Sequence, residues 1–184
     1  MKYNKYFKIA GFHGTSNRSA DEIINSNYKI TPNPEDWLGS GVYFFINGIS
    51  CPIKNANDWA RKKFGDDSSA VLKSYIVASH DSVLNLTTAA GLSTYDKFRI
   101  KFLEQNKIAL ADRRDLNIKK RKDIRLDDRI VTEALLTELS ISVLIHNVYI
   151  KNELQRNLAM ESSYPNATVC SVRDLSLIKR AKKI

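Results

Sequence analysis

Two glycine-hinged apolar runs constrain this chain more than any other feature. Tyr6–Phe12 (YFKIAGF) alternates loosely and stops at His13-Gly14-Thr15-Ser16, which predicts a first strand that delivers His13 at its C-terminal end. Gly39-Ser40-Gly41-Val42-Tyr43-Phe44 launches a second strand, Gly41–Ile46, from paired glycines. Successive side chains of a strand point to opposite faces, so one aromatic ring meets a pocket while the next packs in the core. Between the two runs, Ser19–Ser26 reads as a short helix with Ser16 or Ser19 as N-cap and Ala20, Ile23 and Ile24 as its buried stripe. Residues 31–36, with two prolines, form a loop.

The remaining elements follow from the same patterning. Asn55–Phe64 is a helix ended by Gly65, and Trp59 is expected to anchor it to the sheet. Ala70–Ala78 is a strand, as are Ser142–Ile150 and Asn166–Val172, with Tyr75 and Tyr149 expected in the core. Tyr95–Leu110 and Asp127–Leu139 have helical spacing, and Tyr95, Phe98 and Phe102 suit a helix core. Strands and helices mix without regular alternation, which predicts an α+β fold in one domain over residues 1–184. No stretch is apolar enough for a membrane span and the first residues lack a signal-peptide pattern, so a soluble, cytoplasmic protein is expected.

The 29 Lys and Arg outnumber 20 Asp and Glu, giving a formal charge of +9. A field of that sign attracts polyanions, nucleic acid foremost. Lys119-Lys120-Arg121-Lys122, with Arg113, Arg114 and Arg125 near, is the densest basic run and is able to track a phosphate backbone. Lys179-Arg180-Ala181-Lys182-Lys183 reads most simply as a frayed cationic tail. Cys51 and Cys170 form neither a disulfide framework nor a metal spacing, and His80 and His146 make no metal set with His13. No metal is expected.

Taken in this order, His13-Gly14-Thr15, the Ala20–Asn25 helix, Asp36-Trp37-Leu38-Gly39-Ser40-Gly41, Val42-Tyr43-Phe44 and Ala56-Asn57-Asp58-Trp59-Ala60 resemble the ADP-ribosyltransferase superfamily of the diphtheria-toxin and poly(ADP-ribose)-polymerase type. The resemblance covers His13 to about Phe64. It implies a split-sheet core with NAD held in a cleft between two small sheets. It also implies roles: His13 on the nicotinamide-side ribose, Gly14 on the carboxamide, Thr15 or Ser16 toward the adenosine, Tyr43 stacked on the nicotinamide, with Gly41 and Phe44 framing the cofactor site. Trp37, next to the glycine-rich turn, either covers that site or folds onto the core.

Such enzymes break the nicotinamide–ribose bond through a cationic sugar, and a third residue, usually a glutamate on a late strand, bonds the ribose and positions the acceptor. This chain departs from that pattern, because Asn166–Val172 holds no acidic residue. Glu161, in the loop before it, is the preferred substitute. Glu133 and Glu138 are rivals on a helical stretch, and Thr168 or Ser162 are alternatives without a carboxylate. The expected function is transfer of ADP-ribose from NAD to a macromolecule, nucleic acid ahead of protein, as a toxin of a toxin–antitoxin or antiphage system whose inhibitor is a separate chain. The rivals are an NAD glycohydrolase and a nucleic-acid-binding module with a degenerate cleft.

Overall fold

A computed structural model describes residues 6–31, 33, 36, 38–113 and 121–184. Among these residues seven strands join into one mixed sheet: β1 (Tyr6–Ser16), β2 (Val42–Ile46), β3 (Ser69–Ser79), β4 (Val83–Asn85), β5 (Val143–Val148), β6 (Ala167–Val172) and β7 (Ile178–Lys183). Their spatial order is β4-β5-β6-β2-β1-β3-β7, with only β4 and β5 parallel. The fold is α+β, as the patterning predicts. Where two sheets are expected the strands are continuous, but the centre is thin. β1 pairs with β3 at eleven positions and with β2 at only two, Gly11↔Ile46 and Phe12↔Phe45.

Among the described residues five helices accompany the sheet: α1 (Asn17–Asn25), α2 (Pro52–Phe64), α3 (Ala89–Arg113), α4 (Arg121–Glu138) and α5 (Glu153–Asn157). The Ser16 hydroxyl caps α1 by accepting from Ser19 N–H, and Pro52 occupies the first turn of α2, where its missing N–H costs nothing. Strand alternation splits the apolar side chains into two cores. On one face Phe12, Phe45 and Val71 pack with Ala56 of α2, Phe98 of α3, and Val131, Leu135 and Leu136 of α4. On the other, Phe44, Ile76, Cys170 and Val172 pack with Ala20 of α1 and with Tyr28. Burying a ring such as Phe44, fully sequestered, contributes about 1.5–3 kcal/mol.

Several expectations are corrected. Residues 178–183 are not a frayed tail but strand β7, paired with β3. Ile24 is exposed, and α1 is held by Ala20 and Ile23 instead. Trp59 is 37% exposed and packs on Phe64 beneath Lys63, so the small side chains of Ala56 and Ala60 dock α2. Tyr75 lies half-buried among lysines, and Tyr149 falls just past β5 with its phenol donating to Met160 O. Both cysteines are free, Cys51 exposed and Cys170 buried. No helix among the described residues is long and apolar enough to cross a membrane.

Candidate functional site

The site is built where β1 and β2 part. Beyond Phe12 the two strands no longer pair, and the His13 imidazole takes up the free carbonyl there: His13 Nδ1 lies 2.8 Å from Tyr43 O. A carbonyl only accepts, so Nδ1 carries the proton and Nε2 presents a lone pair. No described hydrogen bond reaches Nε2. Tyr28 and Phe44 pack edge-on or tilted against the ring, at centroid separations of 5.4 and 5.8 Å. Burial lowers the His13 pKa, the Tyr43 carbonyl opposes that shift, and the Lys63 ammonium lowers it further. His13 is therefore neutral at pH 7.

Tyr43 shares this junction through its backbone while its side chain takes the opposite face. Its hydroxyl donates to Gly39 O at 2.9 Å and accepts from Leu38 N–H at 3.1 Å, pinning the glycine turn onto the ring. Burial and then the Asp36 carboxylate push the phenol well above its ordinary range. Asp36 is itself raised by burial, against the pull of Arg129. Lys63 acts on both Asp36 and His13, so it links the two sides of the notch electrostatically. Asp36 was legible only as part of the approach to Gly41; its place beside Tyr43 depends on the loop's return to the sheet.

The other expected residues divide sharply. Gly14 is bare for packing, since a Cβ would stand 2.1 Å from Ala56 O of α2. Gly41 is bare because a Cβ would stand 2.4 Å from Ser171 Oγ and 2.9 Å from Val172 O. Thr15 is buried, and the Ser16 hydroxyl is engaged in capping. Phe44 is wholly core, whereas Tyr43 is only partly buried.

Among the carboxylates, Glu161 pairs with Lys151 at 2.5 Å on an exposed loop, and no described contact joins it to His13 or Tyr43. Glu138 pairs with Lys101 at 3.0 Å. Glu133 is nearer the notch, close enough to act on the Tyr43 phenol. It accepts from Ser40 N–H and meets Arg173 at 3.2 Å, tying the turn before β2 to α4 and to the end of β6. Burial raises its pKa, yet the Ser40 hydrogen bonds and Arg173 outweigh burial and leave it lowered. Ser162 serves its own loop by accepting from Tyr164 N–H.

Thr168 is different: alternation puts it on the same sheet face as His13, one strand past Ile46. It borders a cavity of about 410 Å³ with Asn147, Asn85, Asn47, Ile46 and Ile145. Ile49 N–H donates to Thr168 Oγ1, which donates to Asn147 Oδ1 at 2.8 Å. That chain fixes the amide and leaves Asn147 Nδ2 as a donor. Nothing in the sequence announces this group, because it is assembled by register across three strands. Trp37 lies outside the described residues, as do the side chains of the basic run around Lys119 and Lys120. No cluster able to hold a metal ion is present among the described residues. No family model, curated protein or solved structure matches the chain.

Proposed function

We propose that the chain cleaves NAD at the notch between β1 and β2 and transfers its ADP-ribose to a macromolecular acceptor, nucleic acid ahead of protein. The observation that carries this reading is His13: held by Nδ1 on Tyr43 O, neutral, with Nε2 open where the sheet unpairs. An accepting Nε2 orients a ribose hydroxyl, and a nicotinamide that passes through the gap between β1 and β2 meets the partly exposed Tyr43 ring on the opposite face. As the ribose C1′–nicotinamide bond breaks, its electron pair leaves with the nicotinamide and the sugar becomes cationic. A nearby carboxylate stabilises that charge, and Asp36 beside Tyr43 is the candidate that replaces Glu161. The acceptor's oxygen or nitrogen then bonds C1′ and loses its proton. Lys63 and Arg129 supply positive charge for the NAD phosphates. The compact basic domain fits a toxin held in check by a separate chain.

A second reading, NAD glycohydrolase with water as acceptor, is favoured by Glu161 standing in a surface ion pair. The test is incubation of the purified protein with NAD labelled on the adenylate and a whole-cell extract, with His13→Ala as the blank. Label in RNA or DNA supports the proposal as written, and label in protein keeps the transferase but not its favoured acceptor. Release of nicotinamide without labelled macromolecule establishes the glycohydrolase. Intact NAD overturns both.

A further inference from the structure

The sheet carries a second surface, on the side of β1, β3 and β7 that holds Tyr75, with Phe12 of β1 separating it from His13. Pairing sets Ala10 beside Tyr75 and Tyr75 beside Lys179, with Phe12, Lys73 and Lys182 in the next row and Lys8 and Val77 in the row on the other side. Four lysines thus surround one tyrosine, brought together from positions more than 170 residues apart. Lys8 Nζ and Lys73 Nζ lie 5.1 and 5.6 Å from the centre of the Tyr75 ring. The strands β1, β3 and β7 hold no Asp or Glu, and among the described residues no ion pair joins Lys8, Lys73 or Lys182 to a carboxylate.

The backbone is bent to make this arrangement. Lys179 and Lys182 are an odd number of residues apart, so an uninterrupted strand would turn them to opposite faces. A register shift between Lys73 and Tyr75 inserts one extra residue in β7, and Arg180 there adopts φ +56°, a left-handed conformation that disfavours any residue with a Cβ. The bulge returns both lysines to the Tyr75 side.

We propose that this face binds a single-stranded nucleic acid, its phosphates on Lys8, Lys73, Lys179 and Lys182 and a base against Tyr75. Charge complementarity selects a polyanion. Tyrosine selects an unpaired strand, because a duplex keeps its base faces stacked on one another and has none to offer. In the free protein Lys8 and Lys73 shade the ring; phosphates draw the ammonium groups aside and uncover it. Only the identification of this strand as the acceptor rests on the proposed transferase, and the binding itself requires no NAD.

The test is anisotropy of fluorescein-labelled 15-nucleotide RNA and DNA single strands and matched duplexes, without NAD, over a salt series. Single strands are expected to bind more tightly than duplexes. Lys73→Ala with Lys182→Ala should flatten the slope of log affinity on log salt by about 1.4, at about 0.7 per lost charge. The equally discharged Lys29→Ala with Lys107→Ala should leave it unchanged. Tyr75→Leu should weaken binding at least about fivefold and Tyr75→Phe should restore it. Equal losses from both lysine pairs, tighter binding of duplex, indifference to Tyr75→Leu, or equal binding to phosphatidylserine vesicles would each overturn the proposal.

Discussion

The His13 proton couples the notch to pH. Its folded pKa lies below the ordinary 6.5, with burial as the main cause. Below that value the unfolded chain binds a proton that the folded chain refuses, so stability is complete above about pH 6.5 and falls as the pH drops toward the folded pKa. His146, also lowered by burial, adds a loss of the same sign. His13→Gln should therefore make stability less steep below about pH 6.5 without abolishing the dependence, as read by urea denaturation at several pH values. An unchanged slope would place His13 outside this balance. Tyr43→Phe isolates the other half of the junction, deleting the bonds to Gly39 O and Leu38 N while keeping a ring for stacking. It should cost about 1–2 kcal/mol and lower Tm by about 2–8 °C, with NAD affinity nearly kept. His13 and Tyr43 were singled out in the sequence by glycines one and two residues away, Gly14 and Gly41. Asn147 was not, since its place beside Thr168 depends on which strands become neighbours.

At the scale of elements, α2 lies against β1 because three small residues allow it: Gly14 below, Ala56 and Ala60 above. Gly14→Ala would drive a Cβ into Ala56 O and must lift the helix, an overpacking cost of about 3 kcal/mol. Denaturant titration should show that loss even without NAD, which separates this packing role from the carboxamide contact that the resemblance implies. A variant with undiminished stability would return Gly14 to the ligand. The longer strands were legible from alternating apolar residues, and α2 from its stop at Gly65. β4 has only three residues and β7 is mostly lysine and arginine. Neither carries a period that the sequence can display, because each is recruited by an edge already present. The two-sheet expectation failed for a similar reason: two register pairs suffice to join β1 to β2, and no local signal distinguishes that from none.

For the whole molecule, β7 decides how one end of the sheet is closed. Ile178 is buried beside Ile76, and Lys183 pairs with Leu72 at the far end of the strand. A chain ending at Leu177 would lose that buried side chain, worth about 1.5–3 kcal/mol, and would expose the backbone edge of β3, the longest strand with β1. A frayed tail would be dispensable, whereas this strand should not be. The truncated chain is expected to melt well below the full chain and to aggregate in the transition, as followed by circular dichroism and light scattering; matching melts would restore the tail reading. Charge separates from pairing in the double variant Lys179→Thr with Lys182→Thr, which keeps every backbone partner and substitutes residues that favour strands. Its melting temperature should stay near that of the parent, but its edge would no longer be guarded by ammonium groups against another chain. Concentration-dependent self-association appearing in this variant alone, measured by sedimentation velocity, would show that the lysines guard the edge while backbone pairing holds the fold.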